Sequence, residues 1–136
     1  MISGPASLDT SVVVRLLVGQ PPEQYQSAQH FLGEQLAAPA LVFVSDLVLA
    51  ETYFALQSFY QLTKADALQA LGLFVQHSGV TVSVVAAALL QLPNLATARP
   101  GFVDRLIHGA SHQAGHTPVT FEKAARRLPS TLLLPS

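Results

Sequence analysis

Apolar and polar positions fall along this chain in blocks that predict short strands interleaved with helices. Ala6-Ser-Leu8 is a brief apolar approach to Asp9, and Val12 to Val18 reads as a helix with Thr10 or Ser11 as its N-cap. Gly19-Gln-Pro-Pro breaks that run, and Pro22-Glu23 opens a second helix to about Ala37, with Tyr25, Ala28, Phe31, Leu32 and Leu36 on one side. Leu41-Val-Phe-Val44 is a continuous apolar run of the kind found in buried parallel strands. Ser45-Asp46 caps a helix from Leu47 to about Tyr60, and Thr63 with Asp66 opens another that ends at Ser78-Gly79.

The C-terminal part continues the alternation. Val80 to Val85 alternates like a strand, and Ala86 to Leu92 is a short helix stopped by Pro93. After a loop through Arg99-Pro-Gly, Phe102 to Ala114 forms a helix ended by Gly115. Val119-Thr-Phe121 is a strand, Glu122 to Leu128 a helix, and Leu132 to Leu134 a final strand. Strands alternating with helices imply a parallel sheet covered on both faces, so the expected fold is one α/β domain over residues 1–136.

Composition narrows the function. Half of the residues are hydrophobic and 11% are charged, against roughly a quarter in ordinary soluble domains. This excludes intrinsic disorder, which needs low hydrophobicity and high net charge. The formal charge of -1 supplies no global positive field, so contact with nucleic acid has to be local. Without cysteine there is no disulfide framework, thiolate nucleophile or cysteine-based zinc site. The opening MISGPASLDT has neither a basic n-region nor an apolar h-region, so no signal peptide is expected. The uncharged stretch from Ser78 to Ala98 is long enough to raise the question of a membrane span, but strand-like alternation and Pro93-Asn94 interrupt it. The expectation is a cytoplasmic protein that makes no use of a membrane.

With so few charges, the acids carry the chemical argument. In open parallel α/β sheets, ligands bind outside the carboxyl ends of the strands. Asp9 directly follows the first strand, and Glu51 lies one turn into the helix after the second, on a side shared with Leu47 and Phe54. Asp104 lies near the start of the Phe102 helix, and Glu122 directly follows Val119-Thr-Phe121. On one sheet edge the four would converge. Bare buried carboxylates repel at a cost of several kcal/mol, which a divalent ion relieves. Mg²⁺ or Mn²⁺ takes oxygen ligands, acidifies a bound water and clamps a phosphate, which points to phosphodiester hydrolysis. The plainer alternative is that Asp9 and Glu122 favour helix N-termini while Glu51 and Asp104 face solvent.

Four segments in order resemble a known family. Leu8-Asp-Thr-Ser11-Val-Val-Val-Arg-Leu-Leu17 resembles the opening of PIN domains, and Ser45-Asp-Leu-Val-Leu-Ala-Glu51-Thr-Tyr-Phe-Ala-Leu56 resembles their second acidic motif. Phe102-Val-Asp104-Arg-Leu-Ile107 and Thr120-Phe-Glu122-Lys-Ala124 resemble the third and fourth. Within that family, the compact form is most similar to the VapC-type toxins of bacterial toxin–antitoxin pairs. The resemblance implies a three-layer sandwich with a central parallel sheet of about five strands flanked by helices. It also implies a Mg²⁺- or Mn²⁺-dependent endoribonuclease, homodimerisation, and inhibition by an antitoxin protein. By position, Asp9, Glu51 and Asp104 match the family's metal-binding acids, Glu122 stands where Asp is usual, and Ser11 stands where Asn is common. Thr10, Ser11 and Thr120 fall beside the site, and the longer Glu122 leaves open direct ligation, ligation through water, or none.

The remaining polar residues have two readings each. Arg15, Arg105, Lys123, Arg126 and Arg127 would form the local patch for RNA phosphates, or else simply solvate helix ends, where cations suit the macrodipole. No contact with DNA by this chain alone is expected. His108 and His112, one turn apart, suit a transition-metal pair or an ordinary exposed helix face. Tyr53, Phe54, Phe59 and Tyr60 put aromatics on more than one side of their helix, which suggests a subunit or antitoxin interface. Two function classes follow: a metal-dependent toxin ribonuclease, and a non-catalytic PIN-like interaction module with a weakened metal site.

Overall fold

Asp9, rather than Thr10 or Ser11, caps the first helix. Its backbone is extended, and its carboxylate accepts a hydrogen bond from the Val12 N–H, three residues on, as an N-cap side chain does. Helix α1 runs from Thr10 to Val18 and stops at Gly19, whose φ of 76° would strain any L side chain. These features come from a computed structural model that describes residues 4–38 and 40–136. The first three residues of the N-terminal stretch fall outside the described residues. The chain divides into two compact units, Met1–Ser83 and Val84–Ser136.

In the first unit, strand β1 (Ala6–Ser7) leads into α1, and helix α2 spans Pro22–Ala37 with proline at its start. Strand β2 (Val42–Phe43) pairs in parallel with β1, Ala6 opposite Val42 and Ser7 opposite Phe43. Helix α3 spans Asp46–Ser58, capped by the Ser45 hydroxyl on the Val48 N–H, and α4 spans Lys64–His77, capped by Thr63 on the Asp66 N–H. The core between them is apolar: Val13 and Val14 of α1, Leu49 and Leu56 of α3, and Leu71 of α4 are buried. Gln35 is buried too, and its side-chain amide donates to the Gly4 carbonyl at 2.7 Å, so the polar group stays satisfied. Thr52 is fully buried and its hydroxyl has no partner among the described residues.

In the second unit, helices α5 (Val84–Leu89) and α6 (Phe102–Gln113) pack at a glycine: a Cβ at Gly109 would collide with the branched Val85 side chain. Strands β3 (Val119–Thr120) and β4 (Leu132–Leu133) pair in parallel. Between them Lys123–Arg127 forms a 3-10 turn rather than the expected α-helix, with Glu122 at its cap position. Five residues are too few for an α-helix to recover its nucleation cost.

The expected PIN-like sandwich with a central sheet of about five strands is not what the chain forms. Among the described residues, helices dominate, and the strands make two separate two-stranded parallel pairs, β1–β2 and β3–β4. The Val80–Val85 run, expected as a sheet strand, contributes one parallel bridge, Thr81 to Phe43, before the chain turns into α5 at Val84. Ser83, two residues beyond that bridge and on the same polar side of the alternation as Thr81, donates its hydroxyl to the Asp46 carboxylate at 2.6 Å. No described helix is long and apolar enough to cross a membrane.

Candidate functional site

The carboxyl edge of the β1–β2 pair gathers polar side chains from three segments of the first unit. Asp9 follows β1, Asp46 and Glu51 belong to the helix that follows β2, and Ser83 follows the Thr81 bridge. Parallel pairing puts these chain exits at the same edge. Thr10, the first residue of α1, donates its hydroxyl to Glu51 Oε1 at 2.8 Å, so the starts of α1 and α3 are joined through a carboxylate. Ser11 donates its hydroxyl to Asp9 Oδ1 at 2.6 Å, and the Val12 N–H donates to the same oxygen at 3.3 Å. These bonds, the Ser11 hydroxyl first, lower the Asp9 pKa from its ordinary value of 3.8, so the side chain is ionised at neutral pH. Asp9 and Glu51 are both exposed, as are Leu47 and Phe54, the two apolar side chains that share a side of α3 with Glu51.

A groove of about 760 Å³ opens beside Asp9, between α1 and α2. Ser11 and Arg15 stand on its α1 wall, and Gln24, Ser27 and Phe31 on its α2 wall. Arg15 Nε donates to Gln24 Oε1 at 2.5 Å, which ties the two walls at the end away from Asp9.

In the second unit, Asp104 lies exposed in the first turn of α6. Its neighbour Arg105 is committed to its own loop, with Nε donating to the Pro100 carbonyl at 2.6 Å and Nη2 to the Arg99 carbonyl at 3.4 Å. The Thr120 hydroxyl accepts from the Glu122 backbone N–H at 2.9 Å, so it shapes the turn at Glu122 rather than touching its carboxylate. Glu122, Lys123, Arg126 and Arg127 are all exposed. His108 and His112 line a separate, mainly apolar cavity of about 240 Å³, and the His108 Nδ1 atom is buried without a partner among the described residues.

The first unit thus brings Asp9, Thr10, Ser11 and Glu51 together and sets Arg15 in the adjoining groove. Asp46 is the polar residue that sequence reasoning treated only as part of a helix cap. Its signal was its place two residues after the apolar run that ends at Val44, one position beyond the place that Asp9 takes directly after Leu8. Among the described residues, no group of three or more His, Cys, Asp or Glu side chains stands close enough to hold a metal ion. The donors that are present, two exposed carboxylates beside two hydroxyls, are hard oxygens. They fit a magnesium-like ion that uses one or two carboxylates and keeps its waters, and they do not fit a cage built wholly from protein ligands.

No family model and no curated protein matches the chain. One solved structure, "Crystal structure of VapBC2 from Rickettsia felis bound to a DNA fragment from their promoter", is similar over 96% of this chain and 97% of that chain. Identity is 20% and the TM-score 0.40, a likeness too slight to assign fold, site or partner.

Proposed function

We propose that this protein is a metal-dependent endoribonuclease acting as the toxin of a toxin–antitoxin pair. The observation that carries the reading is the hydrogen bond by which Thr10, the residue directly after Asp9, holds Glu51, so that the first two acids of the motif series share one strand edge. Asp9 and Glu51 would hold Mg²⁺ or Mn²⁺, which when bound supplies an acidified water and charge stabilisation at a phosphate. Ser11 and the Val12 N–H keep Asp9 ionised, Thr10 orients Glu51, and Arg15 offers a cation to the phosphate backbone. The roles of Asp104 and Glu122 rest on motif order. An antitoxin and a second copy of the chain are the proposed protein partners. Leu47, Phe54 and Phe59, 72%, 52% and 78% exposed along and just after α3, support that part of the reading.

One observation favours a second reading, a non-catalytic interaction module: no described group of three potential ligands is close enough to hold a metal. Calorimetric titration with Mn²⁺ separates the two. The nuclease reading predicts saturable binding that is lost in Asp9→Asn and weakened in Glu51→Gln and Asp104→Asn. The absence of binding by the unaltered chain supports the module.

A further inference from the structure

Helix α6 carries a stripe out of keeping with the helix it packs on. Arg105, His108, Gly109 and His112, spaced three and four residues apart, share one face and line the cavity of about 240 Å³ in the second unit. Val85, Ala88 and Leu89 of α5 line it with the same spacing, and all three are apolar. A helix face that only packed on such a surface would be apolar too. Here it carries one of the seven Lys and Arg and two of the five His in a chain where charge is scarce. The two helices meet at Gly109, where a Cβ would strike Val85, and the cavity lies beside that contact.

The polar groups of the stripe are only partly satisfied. Arg105 donates through Nε and Nη2 to the Pro100 and Arg99 carbonyls, which fixes the guanidinium without balancing its charge. Its Nη1 takes part in neither bond. Among the described residues Arg105 forms no ion pair, and none of those lining the cavity carries a carboxylate. The His108 Nδ1 atom is buried without a partner among the described residues, so a ligand can hydrogen-bond this ring only at Nε2. Unbalanced positive charge at the wall of a mainly apolar space suits an anion with an apolar body. Size bounds that body: an apolar cavity of about 150 Å³ holds benzene, so one of about 240 Å³ holds about ten non-hydrogen atoms. Ala88, His112 and Pro129 are exposed lining residues, which leaves the cavity open to solvent.

We propose that this cavity binds a small monocarboxylic acid with an apolar body of about eight carbons. The carboxylate meets Arg105 Nη1 and His108 Nε2, and the body lies against Val85, Leu89 and Leu128. Octanoate and phenylacetate, a chain and a ring of this size, share that chemistry. The assignment is independent of the nuclease reading, because it uses none of the acids on which that reading rests.

The test is calorimetric titration of the full chain with octanoate and with phenylacetate. Saturable binding of either acid, with a Kd of about 1 mM or tighter, is the expected result for so small a ligand. The tighter of the two tells chain from ring. Octanamide and phenylacetamide, the neutral isosteres, should bind about tenfold more weakly or worse, for want of a charge-assisted hydrogen bond. Arg105→Gln should abolish the preference for acid over amide. Ala88→Phe, which fills the cavity from an exposed position, should weaken binding of the acid by about tenfold or more at an unchanged melting temperature. Equal binding of acid and amide by the unaltered chain overturns the anion assignment, whether or not Arg105→Gln folds. Unchanged binding in Ala88→Phe overturns the choice of cavity. No binding of either acid at about 10 mM overturns the proposal outright. RNA cleavage, present or absent, alters none of these outcomes, so the nuclease reading stands or falls separately.

Discussion

The hydroxyl of Thr10 donates to Glu51 Oε1 at 2.8 Å, joining residues 41 positions apart in the chain. The bond sets one Glu51 carboxylate oxygen in place at Thr10, the residue directly after Asp9. An exposed hydrogen bond of this kind adds at most about 1 kcal/mol to folding, so its main consequence is orientation.

Thr10→Val, which keeps the shape and removes the donor, should therefore leave the melting temperature nearly unchanged. It should weaken Mn²⁺ binding by about tenfold, as expected when a group that orients a metal ligand is lost. Thr10→Ser should restore most of the affinity. Calorimetry on the three proteins checks this, and equal affinities would show that the bond is only structural.

Asp9 carries a pH dependence of known sign. Its folded pKa lies below the ordinary 3.8, so its capping contribution is fully present above that value and is lost as pH falls through the lower folded value. Ser11→Ala removes the largest cause of the shift and should raise the Asp9 pKa towards 3.8. A carbon-detected NMR titration of the Asp9 carboxyl group reads the change, and no upward movement would contradict the assignment.

Thr52 gives the prediction for stability. Its hydroxyl is fully buried and has no partner, whereas its methyl group suits the apolar surroundings. Thr52→Val keeps the volume and removes the unsatisfied group, so it should stabilise the protein by about 1 kcal/mol. Urea denaturation should show a higher midpoint with an unchanged slope, and a lower midpoint would reveal a partner for the hydroxyl.

The helices were largely legible because their boundaries are local chemistry. Pro22 starts α2, Ser45 and Thr63 cap α3 and α4, and Gly19 and Gly115 follow α1 and α6 at positive φ. The sheet was not, because strand pairing is settled by partners distant in sequence. Val80–Val85 alternates as a strand should, yet Ser83 turns its hydroxyl to Asp46 and the pairing stops at Thr81. An acid placed after an apolar run drew attention to Asp9, and one a turn into the next helix to Glu51. That Thr10 links them was invisible, because no local pattern couples positions so far apart. Asp46 was overlooked because its role in a cap accounted for it.

The scarcity of charge now has a more definite form. The two linked acids, Asp9 and Glu51, stand exposed at a strand edge, with Arg15 in the groove beside them. Much of the apolar excess is also exposed, at Leu47, Phe54 and Phe59 in the first unit and at Ile107, Val119 and Phe121 in the second.

The most direct test of the central claim is the rate of RNA cleavage by the purified chain with Mn²⁺, set against the rate of Asp9→Asn under the same conditions. The account predicts cleavage that chelation of the metal abolishes and that Asp9→Asn slows by about a hundredfold or more, the loss of several kcal/mol of charge stabilisation. Cleavage at equal rates in the two proteins, or none in either, would contradict it.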